Sequence, residues 1–264
     1  MRDNVLKWSL WCYLALLFIF VFSPILASVV FSFNSQRFPT IPLGEFSTEW
    51  YAAIFSDPEV WEAAGRSLLV SACTAVIATF IGFCTAYTDF RYSFRFKGVY
   101  LALALLPPTI PLIIMALAML AWLSRLGASG QVWSIIIAHT VLTAPFAMAI
   151  IRLRLSQMDE TLESAAWNLG ASEWAAMRHV IIPFAKPAIV SALCLTAAVS
   201  FDEFAVAWFV SGLNKTIPVV ILEIVQGNID PRVNAIGSFV FLTSMTLVVA
   251  AQLFYMSKQN RDAS

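Results

Sequence analysis

The chain of 264 residues is 60% hydrophobic and only 12% charged, with a mean hydropathy of +0.80. A soluble domain is close to about half apolar and about a quarter charged, so this composition excludes an ordinary water-soluble fold and requires lipid as solvent. The 16 basic and 16 acidic residues cancel, which excludes a whole-protein attraction to nucleic acid.

A bilayer core about 30 Å thick asks for roughly 20 apolar residues at 1.5 Å rise each. Six stretches qualify: 9–33, 67–88, 98–123, 132–151, 187–210 and 234–255. They predict an all-α, polytopic protein with six transmembrane helices in a single transmembrane domain over 1–264. The first run follows Arg2 and Lys7, and at about 25 residues it exceeds the roughly 7–15 of a signal-peptide core, which predicts an uncleaved anchor. Cys12, Cys73, Cys84 and Cys194 each sit alone within an apolar run, a pattern of small helix fillers rather than of disulfides or metal ligands.

Lysine and arginine in the short loops set the orientation. With a cytoplasmic N-terminus, the inner side holds Arg2, Lys7, Arg91, Arg95, Lys97, Arg152, Arg154, Arg178, Lys186, Lys258 and Arg261. The outer side holds Arg37, Arg66, Arg125, Lys215 and Arg232. This bias predicts both termini inside. The first outer loop collects Glu45, Glu49, Asp57, Glu59 and Glu62.

The proline cluster Pro107, Pro108 and Pro111 is expected to distort the third span and expose carbonyls, tolerable only beside protein or water, or else to make a simple kink. His139 in the fourth span suits helix packing better than ligation. The segment 152–186 then forms a cytoplasmic loop with helical periodicity. Asp159 and Glu160 favour a first turn, and Leu162, Ala165, Ala166 and Leu169 follow at helical spacing. Gly170 ends that helix or permits a sharp turn. Ser172 can cap a second segment, which Pro183 and Pro187 are expected to break before the fifth span. Such a hairpin needs a protein surface: its own helix ends, or a separate protein.

Asp202 and Glu203 lie 15 and 16 residues into the fifth span, about 22–24 Å from its inner end. Carboxylates at that depth cost about 2.5–3.5 kcal/mol unless they face water, a cation or a partner. Adjacent residues on a helix diverge by about 100°, so one is expected to line a pathway and the other to pair within the bundle or with another subunit. Phe201, Phe204 and Trp208 could offer cation–π faces to a passing amine. A merely hydrated interfacial pair is the alternative. Glu223 lies in the apolar patch 217–225, too short to span, which predicts a re-entrant loop against a pathway or an external protein, or chance placement at the rim.

No phosphate-cradling loop with its Gly-Lys-Ser/Thr end, no His-Glu-x-x-His and no Gly-x-Ser-x-Gly occurs. No catalytic residue, metal ligand or cofactor is therefore assigned. An intramembrane acid pair at Asp202 and Glu203 fails because neighbouring helix positions separate their side chains. An ion-coupled secondary carrier would need no cytoplasmic docking hairpin.

Glu163, Ser164, Ala165 and Ala166, then Gly170 and Ala171, then Pro183 together resemble the EAA loop of ABC-importer permeases, with Ser164 standing where the family glutamate usually stands and Ile182 replacing leucine. The stretches 200–212, 216–218 and 228–235, with His139 and 32–34, resemble the permease subunit of spermidine/putrescine-type importers, although Leu112 stands where an aspartate is usual there. The resemblance implies a type I ABC importer permease fold in a bacterial inner membrane, and a solute pathway through Asp202, Glu203, Phe201, Phe204, Trp208 and Glu223. It further implies that Glu163, Ser164, Ala165, Ala166, Gly170, Ala171 and Pro183 dock on an ATPase. The implied partners are a second homologous permease, two ATP-binding cassette subunits and a periplasmic solute-binding protein. The implied solute is a polyamine or related cationic amine, with an opine or amino-acid derivative as the alternative.

Overall fold

In lipid every backbone N–H and C=O must be satisfied internally, so apolar runs fold as helices. The computed structural model describes residues 2–37, 41–159, 161–227, 231–243 and 245–246, and within them only one isolated bridge, Asn34 to Phe46, departs from a helix-and-loop pattern. The helices are α1 (Arg2–Ser32), α2 (Glu49–Phe55), α3 (Pro58–Arg91), α4 (Lys97–Leu105), α5 (Leu112–Arg125), α6 (Val132–Leu155), α7 (Thr161–Asn168), α8 (Glu173–Ala176), α9 (Ile182–Asp202), α10 (Ala205–Val210), α11 (Ile217–Gly227) and α12 (232–243). The chain divides into two compact units, Met1–Trp61 with Ile221–Ser264, and Glu62–Val220.

In the first unit α1 exposes large apolar side chains such as Leu10, Phe18 and Phe20, as a helix facing lipid does. After α1, Asn34 organises the loop that follows. Its Oδ1 accepts the Gly44 N–H at 2.9 Å and its carbonyl accepts the Trp50 indole N–H at 2.8 Å, while the Phe33 ring stacks on Phe46. Ser28 of α1 donates to Asn234 of α12, and the Phe55 ring meets Phe239 edge-on.

The second unit packs through small residues. Along α3 the buried face runs Ser67, Ser71, Thr74, Ala78, Gly82, Ala86, the stripe that lets membrane helices approach closely. At Gly82 a Cβ would stand 2.6 Å from the Met148 amide nitrogen on α6, so only glycine fits this contact. Hydroxyls inside the helices are absorbed locally: Thr143 donates to the His139 carbonyl and Thr196 to that of Ala192.

Four helices among the described residues are long and apolar enough to cross a membrane: Leu6–Ser32, Pro58–Arg91, Val132–Leu155 and Glu173–Asp202. Three expected spans differ in detail. The third, 98–123, is divided into α4, a 3₁₀ turn at Pro107–Thr109 and α5, because prolines 107, 108 and 111 remove three backbone donors within five residues. The fifth, 187–210, starts earlier and stops at Asp202. Pro183 and Pro187 do not break it: α8 runs through a π turn at Met177–Ile181 into α9, and this wider turn lies directly ahead of Pro183. The sixth, 234–255, lies partly outside the described residues.

Candidate functional site

The helix that begins within the hairpin segment 152–186 ends beside a buried polar cluster. Glu203 adopts an extended backbone (φ −74°, ψ 118°), so α9 stops at Asp202 and α10 begins at Ala205. The buried Glu203 side chain turns to cap α10. Oε1 accepts the Ala205 N–H at 3.0 Å, and Oε2 accepts those of Val206 and Ala207 at 2.9 and 3.2 Å. Helix N-termini present such unsatisfied donors and favour an anion there. His139, fully buried on α6, meets both sides of the break: Nδ1 is 2.9 Å from Ser200 Oγ, and Nε2 lies 3.4 Å from Glu203 Oε2, in ion-pair range without a hydrogen bond. Asp202, by contrast, is exposed, and no bond to its carboxylate exists among the described residues. Phe201 is half-buried, Phe204 is 48% exposed, and Trp208 packs on the core formed by α5, α6 and α10. Glu223, half-buried on α11, belongs to the first unit.

The hairpin is built by local rules. Asp159 Oδ1 accepts the Thr161 N–H at 2.9 Å, and this bond holds its carboxyl below the usual carboxylate range. Glu160 lies outside the described residues. α7 ends in a Schellman turn: the Ala171 N–H reaches the Ala166 carbonyl at 3.0 Å and the Gly170 N–H reaches that of Trp167 at 2.8 Å. Gly170 supplies the left-handed residue, with φ +87°. Ser172 then caps α8 by accepting the Ala175 N–H at 3.2 Å. The outward face carries Leu162, Leu169 (89% exposed) and Trp174 (68% exposed) beside the exposed Ser164 and Ala165. Exposed apolar groups of this size mark an interaction surface, with protein or with membrane.

The inward face is ionic. Glu163 is buried, with Oε1 at 3.3 Å from Arg91 Nε at the end of α3, and the Arg91 guanidinium stands 4.7 Å over the Trp167 ring. Two residues earlier, buried Asp89 receives Arg152 Nε of α6 at 2.6 Å and has Lys97 Nζ of α4 at 3.3 Å.

A family model described as the binding-protein-dependent transport system inner membrane component matches residues 78–258. The chain belongs to this family. The permease is 32% identical over 247 residues to the spermidine/putrescine transport system permease protein PotC of Escherichia coli (strain K12), covering 93% of each chain. It is 30% identical over 232 residues to that strain's putrescine transport system permease protein PotI, covering 84% of this chain and 82% of that one. Among solved structures, a bacterial ABC transporter involved in the import of the acidic polysaccharide alginate superimposes with a TM-score of 0.73 at 16% identity, covering 97% of both chains. That likeness concerns the fold.

Of the residues expected on the pathway of this permease, the structure brings Phe201, Asp202, Glu203, Phe204 and Trp208 to one helix break. Of those expected to dock, it leaves Ser164, Ala165, Gly170 and Pro183 exposed, half-buries Ala166 and Ala171, and turns Glu163 inward. Sequence gives Arg91 only a place in the charge bias, and Trp167 and Ser200 no role of their own. Ser200 lies three residues before Glu203, a spacing that could have linked it to the acid pair; the Arg91–Glu163 pairing spans 72 positions and leaves no local signal.

Proposed function

We propose that this chain forms half of the solute pathway of an ATP-driven polyamine importer, working with a second homologous permease, two ATP-binding cassette subunits and a periplasmic solute-binding protein. It crosses the inner membrane six times with both termini cytoplasmic: by α1, α3, the α4–α5 pair, α6, the Glu173–Asp202 helix, and a last span beginning with α12. The excess of lysine and arginine on the cytoplasmic side supports that orientation. The hairpin within 152–186 docks on an ATPase through Leu162, Leu169 and Trp174, and its motion alternates access to the pathway.

The observation that carries the reading is the contrast between the two neighbouring carboxylates. Glu203 is consumed by the cap of α10 and by His139, whereas Asp202 is exposed and unengaged among the described residues. An ionised side chain left in hydrocarbon costs about 2.5–3.5 kcal/mol, so this one belongs to an aqueous lumen or to the second permease, where an ammonium group can pair with it. Phe204 beside it offers a cation–π face. The polyamine relatives support the solute class.

The test is uptake by proteoliposomes that contain the whole complex, with binding protein outside and ATP inside. Labelled spermidine and putrescine should accumulate only with every component present. Accumulation by the purified chain alone would overturn the subunit role. A binding protein that retains neither amine, and a complete complex that carries neither, would overturn the solute assignment.

A further inference from the structure

We infer that Arg91 is a positioning residue that locks the hairpin to α3, so that motion of the hairpin moves two helices rather than one. The inference rests on the hairpin being the ATPase contact, and adds how movement leaves it. Along the backbone the hairpin runs without a break into the Glu173–Asp202 helix and follows α6 in the chain. Its link to α3 is made by side chains. The Arg91 guanidinium grips α7 at two positions one turn apart, through Nε to Glu163 Oε1 at 3.3 Å and through its face over Trp167 at 4.7 Å. The Glu163 side chain is 7% exposed, so the acidic group of the loop faces α3 and is not offered outward. The Trp167 indole nitrogen is buried without a hydrogen-bond partner, so the cation on its ring is the polar contact this side chain has.

The same turn of α3 points the other way through Asp89, which holds Arg152 of α6 and Lys97 of α4. Acid and base two residues apart thus sort their partners by sign, and α7 falls to Arg91 among the described residues. A lysine could supply the charge, but not the planar face that covers the indole.

The full complex in proteoliposomes, with labelled spermidine as probe, tests this through the ATP hydrolysed per spermidine taken up. Arg91→Glu and Glu163→Arg are each expected to raise that ratio by about fivefold or more, and the double variant to bring it back within about twofold of wild type, as a direct pair requires. Arg91→Lys, read where the reversals fail to assemble, should raise the ratio by about twofold. A wild-type ratio in the assembled single variants, or a double variant no better than either single, overturns the inference. A second readout needs no solute. With Cys12, Cys73 and Cys194 replaced, nitroxides on native Cys84 of α3 and on Ser164→Cys of α7 should keep a constant distance when the ATPase is trapped with ATP and vanadate, and lose that constancy in Arg91→Glu. A distance that already changes in the Arg91 background overturns it. If Gly170→Asp uncouples transport while the Arg91 variants do not, only this inference falls; if neither does, the docking role of the hairpin falls with it.

Discussion

Glu203 Oε2 lies 3.4 Å from His139 Nε2 while the two carboxylate oxygens together accept three backbone N–H groups of α10, so this acid is a structural cap. The helix terminus and the imidazole hold it, and His139 in turn reaches back to Ser200 on α9. The neighbouring Asp202 has no such commitment among the described residues, and the two carboxylates should therefore fail differently when altered.

Glu203→Gln exchanges one acceptor oxygen for a donor that faces backbone N–H groups. Leaving one buried N–H unsatisfied costs about 1–3 kcal/mol, so both thermal stability in detergent and the amount of chain in the membrane should fall. Unchanged melting and unchanged abundance would rule out the capping role.

Asp202→Asn keeps the shape and removes the charge. Amount and assembly should match wild type, while uptake of spermidine should fall about tenfold or more, the size of a lost interaction of about 1.4 kcal/mol. Uptake equal to wild type would remove Asp202 from the pathway.

At Gly170 nothing lies within 4 Å of an added Cβ, so a substitution meets no clash and acts only through the backbone at φ +87°. Gly170→Ala should strain the turn by about 1–2 kcal/mol and raise ATP consumed per solute, and Gly170→Asp should do so more strongly. Equal coupling in both variants would argue against a fixed hairpin geometry.

Gly82→Val should be worse for folding than for chemistry. Its Cβ would fall 2.6 Å from a backbone nitrogen of α6, which cannot move aside as a side-chain tip can. Overpacking of this kind costs about 1–3 kcal/mol, and the loss should appear as reduced thermal stability of the purified chain.

The parts legible from sequence were those set by neighbours along the chain. Gly170 and Ser172 announced the turn and the second cap because both act within a few positions, and the prolines at 107–111 announced a distorted third span. Proline misled at 183 and 187. There the π turn at Met177–Ile181 precedes them and the helix continues, a compensation that residue preferences do not encode. The break after Asp202 was missed for a different reason. Nothing in the run Phe201 to Val210 forbids a continuous helix; the cap that Glu203 provides is helped by His139, 64 positions upstream. At Glu163 the resemblance implies an ATPase contact; its carboxylate meets Arg91, 72 positions upstream, a pairing that no local pattern carries.

The 30-residue helix Glu173–Asp202 carries the hairpin at its foot and the unengaged carboxylate at its head. At 1.5 Å per residue it is about 45 Å long, so tipping the foot by about 10° sweeps the head through about 8 Å. A rotation that small leaves side-chain packing near the pivot intact, yet it exceeds the width of a polyamine chain. Because Ser200 at the same helix end bonds to His139 of α6, a swing of that size would part the two, so the polar cluster at the head would register what happens at the foot.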